Sequence, residues 1–273
     1  MIVELIIILL GLAFTVGITF VIPVGNYYHY WAPFLLLIAG YLIGLAIVWG
    51  ILTIFSLPYG KNSKKREKPS KFAQFWLSDG ESYICRHARV KLKIKNNTDT
   101  ALPKERFLII CNHLSKFDPM IMGALYGKKH DLAFISKPTN FKIPVGGKFM
   151  RGAGFLSIDR FDKLKSLEII KEAQDLITNN YASIGVFPEG TRSEDEKLHE
   201  FHEGVFSIAL KTKCPIVVTT IKNTQSIHKN FPKRRTVVEF EIIKILFPED
   251  YEGMIAKTLS DHCHELMLNS LGE

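Results

Sequence analysis

The sequence predicts an α/β domain preceded by an N-terminal membrane hairpin of two helices. Residues 1–60 are almost uniformly apolar, a basic linker follows at 61–71, and residues 72–273 alternate apolar runs with segments of helical periodicity. Setting the apolar part aside leaves roughly two hundred residues, enough for one domain with a sizeable core.

Residues 2–24 form the first apolar stretch, with Glu4 its single carboxylate, and residues 31–57 form a second without any charge. At about 1.5 Å per residue, each is long enough to cross a hydrocarbon core. The connection, Gly25-Asn26-Tyr27-Tyr28-His29-Tyr30, is short and aromatic, which suits a headgroup interface. A cleaved leader is disfavoured because the first stretch lacks a basic start and a small-residue cleavage site. Gly40 and Gly44 form a small-xxx-small pair, a pattern that also occurs in apolar helices without consequence.

Lys61, Lys64, Lys65, Arg66, Lys68 and Lys71 then follow with Glu67 the only acid, so the chain from there on is expected to be cytoplasmic. This run serves either as a solvated linker or as a cluster attracted to anionic lipid, and the two roles are compatible. Phe72, Phe75, Trp76 and Tyr83 mark a segment that either lies on the membrane surface or packs an apolar face on the domain; packing is the expectation.

Beyond this point strands are expected at 107–111, 132–136, 155–158, 183–187, 216–221 and 236–245, with helices at 119–126, 163–177 and 205–212. Such alternation is the pattern of an α/β fold, whose strand-to-helix turns present side chains for chemistry.

The net charge of +8 points to an anionic partner, and beside a membrane segment that partner is lipid. No RNA-binding signature or zinc finger is present, so nucleic acid is not expected. Cys85, Cys111, Cys214 and Cys263 are scattered without CxxC spacing, as in a reducing compartment, and none is read as a metal ligand.

Three turns carry the chemistry. Cys111-Asn112-His113-Leu114-Ser115-Lys116-Phe117-Asp118-Pro119 follows a strand and opens a helix. A carboxylate near His113 can hold its Nδ1 proton while Nε2 takes one from an alcohol, the base and orienter of a triad with no protein nucleophile. Asp118 before Pro119 is equally a good helix N-cap with proline at the first helical position. Phe187-Pro188-Glu189-Gly190-Thr191-Arg192-Ser193 brings a close backbone approach, a hydroxyl and a forked cation into one turn, either an anion grip or an ordinary surface turn. Gly154-Phe155-Leu156-Ser157-Ile158-Asp159-Arg160 ends in a cation, or in an exposed ion pair.

Competing constellations are poor. His199-Glu200-Phe201-His202 is one residue short of HExxH zinc spacing, His262 and His264 point to different faces of a helix, and Gly147-Lys148 lacks the rest of a phosphate-binding loop.

In this order the three turns resemble the glycerolipid acyltransferase family that includes the lysophosphatidic acid acyltransferases. The resemblance runs over about residues 105–220 and includes Ile135-Ser136-Lys137-Pro138 and Pro215-Ile216-Val217. It implies a mixed sheet flanked by helices, with His113 and Asp118 as the catalytic dyad. It makes Glu189, Gly190, Thr191 and Arg192 part of the acceptor site, and Lys137 and Arg160 phosphate ligands. It further implies direct acyl transfer from acyl-CoA or acyl carrier protein to a lysophospholipid, with no metal and no other cofactor, by a multi-pass membrane protein. Oxyanion stabilisation would come from backbone N–H groups near Gly190 or at the Pro119 helix start. Alternative readings are another acceptor, such as glycerol 3-phosphate, or a silent adaptor that binds anionic lipid. The sequence departs from the family pattern at Ser157, His202 and Val218, which bears on the shape of the acceptor pocket.

Overall fold

A computed structural model describes residues 2–21, 32–61, 68–96, 98, 101–159 and 162–273, which divide into two compact units, 1–63 and 64–273. The aromatic connection at 25–30, most of the basic run and Arg160 lie outside the described residues.

In the first unit α1 (Ile2–Val21) is apolar apart from Glu4 in its first turn, and α2 (Ala32–Ser56) carries no charge. They meet through small residues. A Cβ on Gly40 would stand 2.5 Å from Gly11 O, and one on Gly44 would stand 2.5 Å from Ile7 O. Thr15 Oγ1 donates to Gly11 O at 2.9 Å and across to Leu36 O at 3.1 Å. Pairing 7 with 44, 11 with 40 and 15 with 36 makes the helices antiparallel, and both glycines of the small-xxx-small pair lie at the contact, where any side chain would push the backbones apart. Among the described residues one segment, Phe34–Tyr59, is long and apolar enough to cross a membrane, with mean hydropathy 2.5; the apolar stretch Ile2–Ile18 is shorter.

The second unit opens with α3 (Lys71–His87), capped by Ser70, whose side chain accepts from Ala73 N–H at 3.3 Å. Then come β1 (Val90–Asn96), β2 (Leu108–Ile110), α4 (Phe117–His130), β3 (Leu132–Ser136), α5 (Gly146–Gly152), β4 (Leu156–Ser157) and α6 (Lys163–Thr178). The chain continues through β5 (Ser183–Val186), α7 (Ser207–Thr212), β6 (Ile216–Lys222), α8 (Ser226–Asn230), β7 (Thr236–Leu246) and α9 (Ala256–Leu271). The strands form one mixed sheet in the order β1-β7-β6-β2-β5-β3-β4, in which β6 and β7 are antiparallel and every other pair is parallel.

β2 and β5 are buried at every position, as central parallel strands covered on both faces must be. The chain leaves β2 towards β3 on one side and leaves β5 towards β6 on the other. That reversal opens a crevice at the carboxyl ends of β2 and β5, the place where sheets of this kind present a site. Gly185 of β5 stands opposite Phe134 of β3, and a Cβ there would collide with the Phe134 ring. The space it leaves lets Phe134 stack under Phe187 at 5.7 Å, with the ring planes 9° apart.

Two expectations need correction. Helix α4 starts at Phe117 with Lys116 as its N-cap, so Asp118 is inside the first turn and does not cap it. The expected helix at 205–212 begins as a 3-10 turn, Glu203–Phe206, before α7.

Candidate active site

His113 follows β2 by three residues and its ring lies flat against Phe187 at 4.3 Å, with the planes 23° apart. Its Nδ1 is 2.8 Å from Asp118 Oδ2. The same oxygen accepts the N–H groups of Leu114 at 2.6 Å and Ser115 at 2.7 Å. Asp118 Oδ1 takes the hydroxyls of Thr224 at 2.5 Å and Ser115 at 3.3 Å. Asp118 is therefore fully buried among donors, and it folds the turn back upon itself. Its carboxyl group receives no bond from the free N–H groups of the helix, which is why the capping explanation fails.

The second turn grips the backbone of His113 from both sides. Glu189 Oε1 accepts the His113 N–H at 2.7 Å, and the Ser193 N–H donates to His113 O at 2.8 Å. The other oxygen of Glu189 accepts the His199 N–H at 3.1 Å. Glu189 is buried, and its two oxygens brace the backbone of His113 and His199. Gly190 sits at φ 70°, a left-handed conformation that a side chain would strain, and its N–H closes the turn on Phe187 O at 2.9 Å. Thr191 and Arg192 are exposed at the same turn, and Lys137 is exposed after β3. Arg160 lies outside the described residues.

The N–H groups expected to stabilise an oxyanion have other duties. Gly190 N–H is used within its turn, Phe117 N–H donates to Ser115 Oγ at 3.0 Å, and Asp118 N–H points to Ser115 O at 3.4 Å. Neither neighbouring nucleophile is poised. Ser115 Oγ is buried in those contacts, and burial pushes the Cys111 thiol well above its ordinary range.

Two residues absent from the sequence-based site are central to it. Thr224 completes the shell of Asp118 from the loop after β6. Asn112 donates Nδ2 to Ile221 O at 3.0 Å and accepts Ile221 N–H at 2.8 Å, fixing that loop to the end of β2. The short block around His113 contains Asn112 but gives no indication that its partner lies in β6.

Burial raises the Glu189 carboxyl from its ordinary 4.5 to about 7, against the pull of its two backbone donors. The folded chain then holds this proton more tightly than the unfolded chain does. The resulting stabilisation is present below the unfolded value and is lost as pH rises through about 7. Thermal melts between pH 4.5 and 7 should accordingly show a loss of stability that is smaller in Glu189→Gln. Equal slopes in the two proteins would show that Glu189 is not the titrating group.

Fold and pair together define an α/β protein with a hydrogen-bonded His–Asp pair at the carboxyl edge of its sheet. Residues 89–222 match the acyltransferase family model, and this domain belongs to that family. A 1-acyl-sn-glycerol-3-phosphate acyltransferase of Chlamydomonas reinhardtii is 33% identical over 59% of this chain and 47% of its own. A chloroplastic 1-acyl-sn-glycerol-3-phosphate acyltransferase of Arabidopsis thaliana is 30% identical over 69% of this chain and 49% of its own. The chain thus spans about half the length of these curated relatives. The crystal structure of the 1-acyl-sn-glycerophosphate (LPA) acyltransferase PlsC from Thermotoga maritima superposes with a TM-score of 0.60 at 23% identity. That match covers 82% of this chain and 86% of the other and concerns the fold.

Proposed function

We propose that this chain transfers a fatty acyl group from a thioester to the free sn-2 hydroxyl of 1-acyl-glycerol 3-phosphate, giving phosphatidic acid. The observation that carries this reading is the placement of His113 Nδ1 on a carboxyl group that also binds two backbone N–H groups. An acceptor there assigns the Nδ1 position a proton and leaves Nε2 as the basic atom. Among the described residues Nε2 has no hydrogen-bonding partner. It takes the hydroxyl proton as the acceptor oxygen attacks the thioester carbonyl. The C–S bond then breaks, and the imidazolium returns the proton to the departing thiolate. No acyl-enzyme forms, in keeping with the buried Ser115 and Cys111.

In this reading Lys137, Arg160 and Arg192 hold the acceptor phosphate, with Gly190 and Thr191 shaping the turn beside it. Acyl-CoA or acyl carrier protein supplies the acyl group, and the reaction as drawn asks for no further cofactor. The apolar helices 1–60 keep the site beside a substrate whose tail stays in the bilayer. The basic run at 61–71 supports a multi-pass topology with the catalytic domain on the cytoplasmic side.

The test is an assay of the full chain in detergent with 1-acyl-glycerol 3-phosphate, glycerol 3-phosphate and other lysophospholipids, each with both donors. Phosphatidic acid should be the dominant product. Faster turnover of a different acceptor would overturn the assignment of substrate while leaving acyl transfer in place.

A further inference from the structure

Strands β2, β5 and β3 are neighbours in that order, and the chain at each contributes one ring to a common column. His113, just past β2, lies against Phe187 with the ring centres 4.3 Å apart and the planes at 23°. Phe187 follows β5 directly and lies against Phe134 of β3 at 5.7 Å, and Phe155 meets Phe134 in turn at 5.6 Å with the planes at 59°. Phe134 and Phe155 are buried, Phe187 is half-buried, and the His113 side chain is 18% exposed. The column thus runs out of the core and ends on the imidazole.

The local sequence makes room for it. Side chains two apart on a strand share a face, so a side chain at 185 would occupy the row of Phe187. The residue is glycine, and a Cβ there would lie 2.4 Å from the Phe134 ring. The backbone then fixes the distance from Phe187 to His113. Cys111 N–H donates to Val186 O at 3.2 Å, His113 N–H to Glu189 Oε1 at 2.7 Å, and Ser193 N–H to His113 O at 2.8 Å. Three bonds therefore tie residues 111–113 to the strand end and turn that carry Phe187.

A leucine would also cover the core at this point, but a flat ring does two further things. The bond from His113 Nδ1 to Asp118 Oδ2 holds one edge of the imidazole and leaves the tilt of its plane open. A parallel ring 4.3 Å away fixes that tilt, and with it the direction in which Nε2 points. The second effect is electrostatic. The face of a phenyl ring is the negative side of its quadrupole and attracts a cation within about 6 Å of the ring centre. His113 becomes a cation when Nε2 takes the hydroxyl proton, and is neutral again once that proton passes to the thiolate as the C–S bond breaks. An attraction felt by the imidazolium alone acts on the transition state and raises turnover rather than affinity.

We propose that Phe187 is a positioning residue for acyl transfer, its ring setting the plane of His113 and its face favouring the imidazolium that forms on proton transfer. The inference rests on the general-base step of the proposed function and adds a residue that acts through His113.

The test replaces Phe187 in the full chain, in detergent, with phenylalanines carrying one, two and three ring fluorines, which keep the shape of the ring and progressively cancel the charge of its face. Melting temperatures should stay at the wild-type value. The kcat should fall with each fluorine, by about three- to thirtyfold at three, the range for a cation on an aromatic face, while the acceptor KM stays constant. Phe187→Leu should fall at least as far, since it also releases the plane of His113. A second reading needs no substrate: the nitrogen resonances of the His113 ring, assigned against His113→Ala, should titrate at lower pH with each added fluorine. A kcat that ignores the fluorines, or a change confined to KM, would overturn the proposal. A titration that does not move would overturn it even where turnover falls. Wild-type protein that acylates no lysophospholipid would defeat the proposed function instead, and the titration would still decide the contact between the rings.

Discussion

Asp118→Asn should leave a folded protein whose single-turnover rate is lower by about 10² to 10⁴, the usual worth of a positioned general base. The substitution is nearly isosteric, but the amide offers one acceptor where Asp118 uses two. Oδ2 serves His113 Nδ1 and the N–H groups of Leu114 and Ser115, and Oδ1 serves Thr224 and Ser115 hydroxyls. If the amide oxygen keeps the two backbone donors, its nitrogen faces Thr224, and the charge that would stabilise an imidazolium is gone. If the amide turns round, its N–H faces Nδ1 and imposes the opposite tautomer, moving the basic nitrogen away from the substrate. His113→Ala should lose a similar factor while melting close to the wild type, because the histidine is partly exposed and its removal leaves little void. Thr224→Val, which removes one donor and keeps the shape, should cost about tenfold in turnover, with Thr224→Ser restoring it. Thermal melts and single-turnover rates on detergent-solubilised protein check all four variants. Wild-type turnover in Asp118→Asn or His113→Ala would defeat the general-base mechanism.

Much of the sheet was legible because its central strands are short apolar runs between turn residues. The expected 132–136 coincides with β3, 183–187 overruns β5 by one residue, and 236–245 stops one short of β7. β1 was missed. Its Lys91, Lys93 and Lys95 alternate with Val90, Leu92 and Ile94, and lysines at every second position look like linker until β7 is seen to pair with the strand as its outermost neighbour. The pair His113–Asp118 lies five residues apart and could be read locally. Thr224, 106 residues from Asp118, could not, because the contact exists only once β6 lies beside β2. Glu189 illustrates a different limit. Its position in the turn was clear, but whether a carboxyl group faces a ligand or two backbone N–H groups depends on the loop from Phe187 to His202 folding over it.

The largest effect on stability is expected at Asn112. The ladder between β2 and β6 ends at Ile110 and Val218, and Thr219 Oγ1 then bonds to Ile110 O at 2.7 Å where β6 shifts register against β7. Past that point the Asn112 amide stands in for a backbone unit, giving one donor and one acceptor to Ile221. The residue is 3% exposed, so water cannot replace it without opening the site. Asn112→Ala leaves a buried N–H and a buried carbonyl unpaired, at about 1–3 kcal/mol each, and a total of about 2–5 kcal/mol is expected. With about 2–4 °C per kcal/mol for a domain of this size, the melting temperature should fall by roughly 5–15 °C. Asn112→Asp separates the two bonds. One oxygen still accepts the Ile221 N–H, but the other now opposes Ile221 O, so this variant should also be destabilised and should recover part of the loss at low pH, where a protonated carboxyl group can donate. Turnover should fall in both, because Ile221 carries the chain to Thr224 and Asn112 adjoins His113. A melting temperature within about 1 °C of wild type for Asn112→Ala, far less than two orphaned backbone groups would cost, would show that the amide does not extend the ladder.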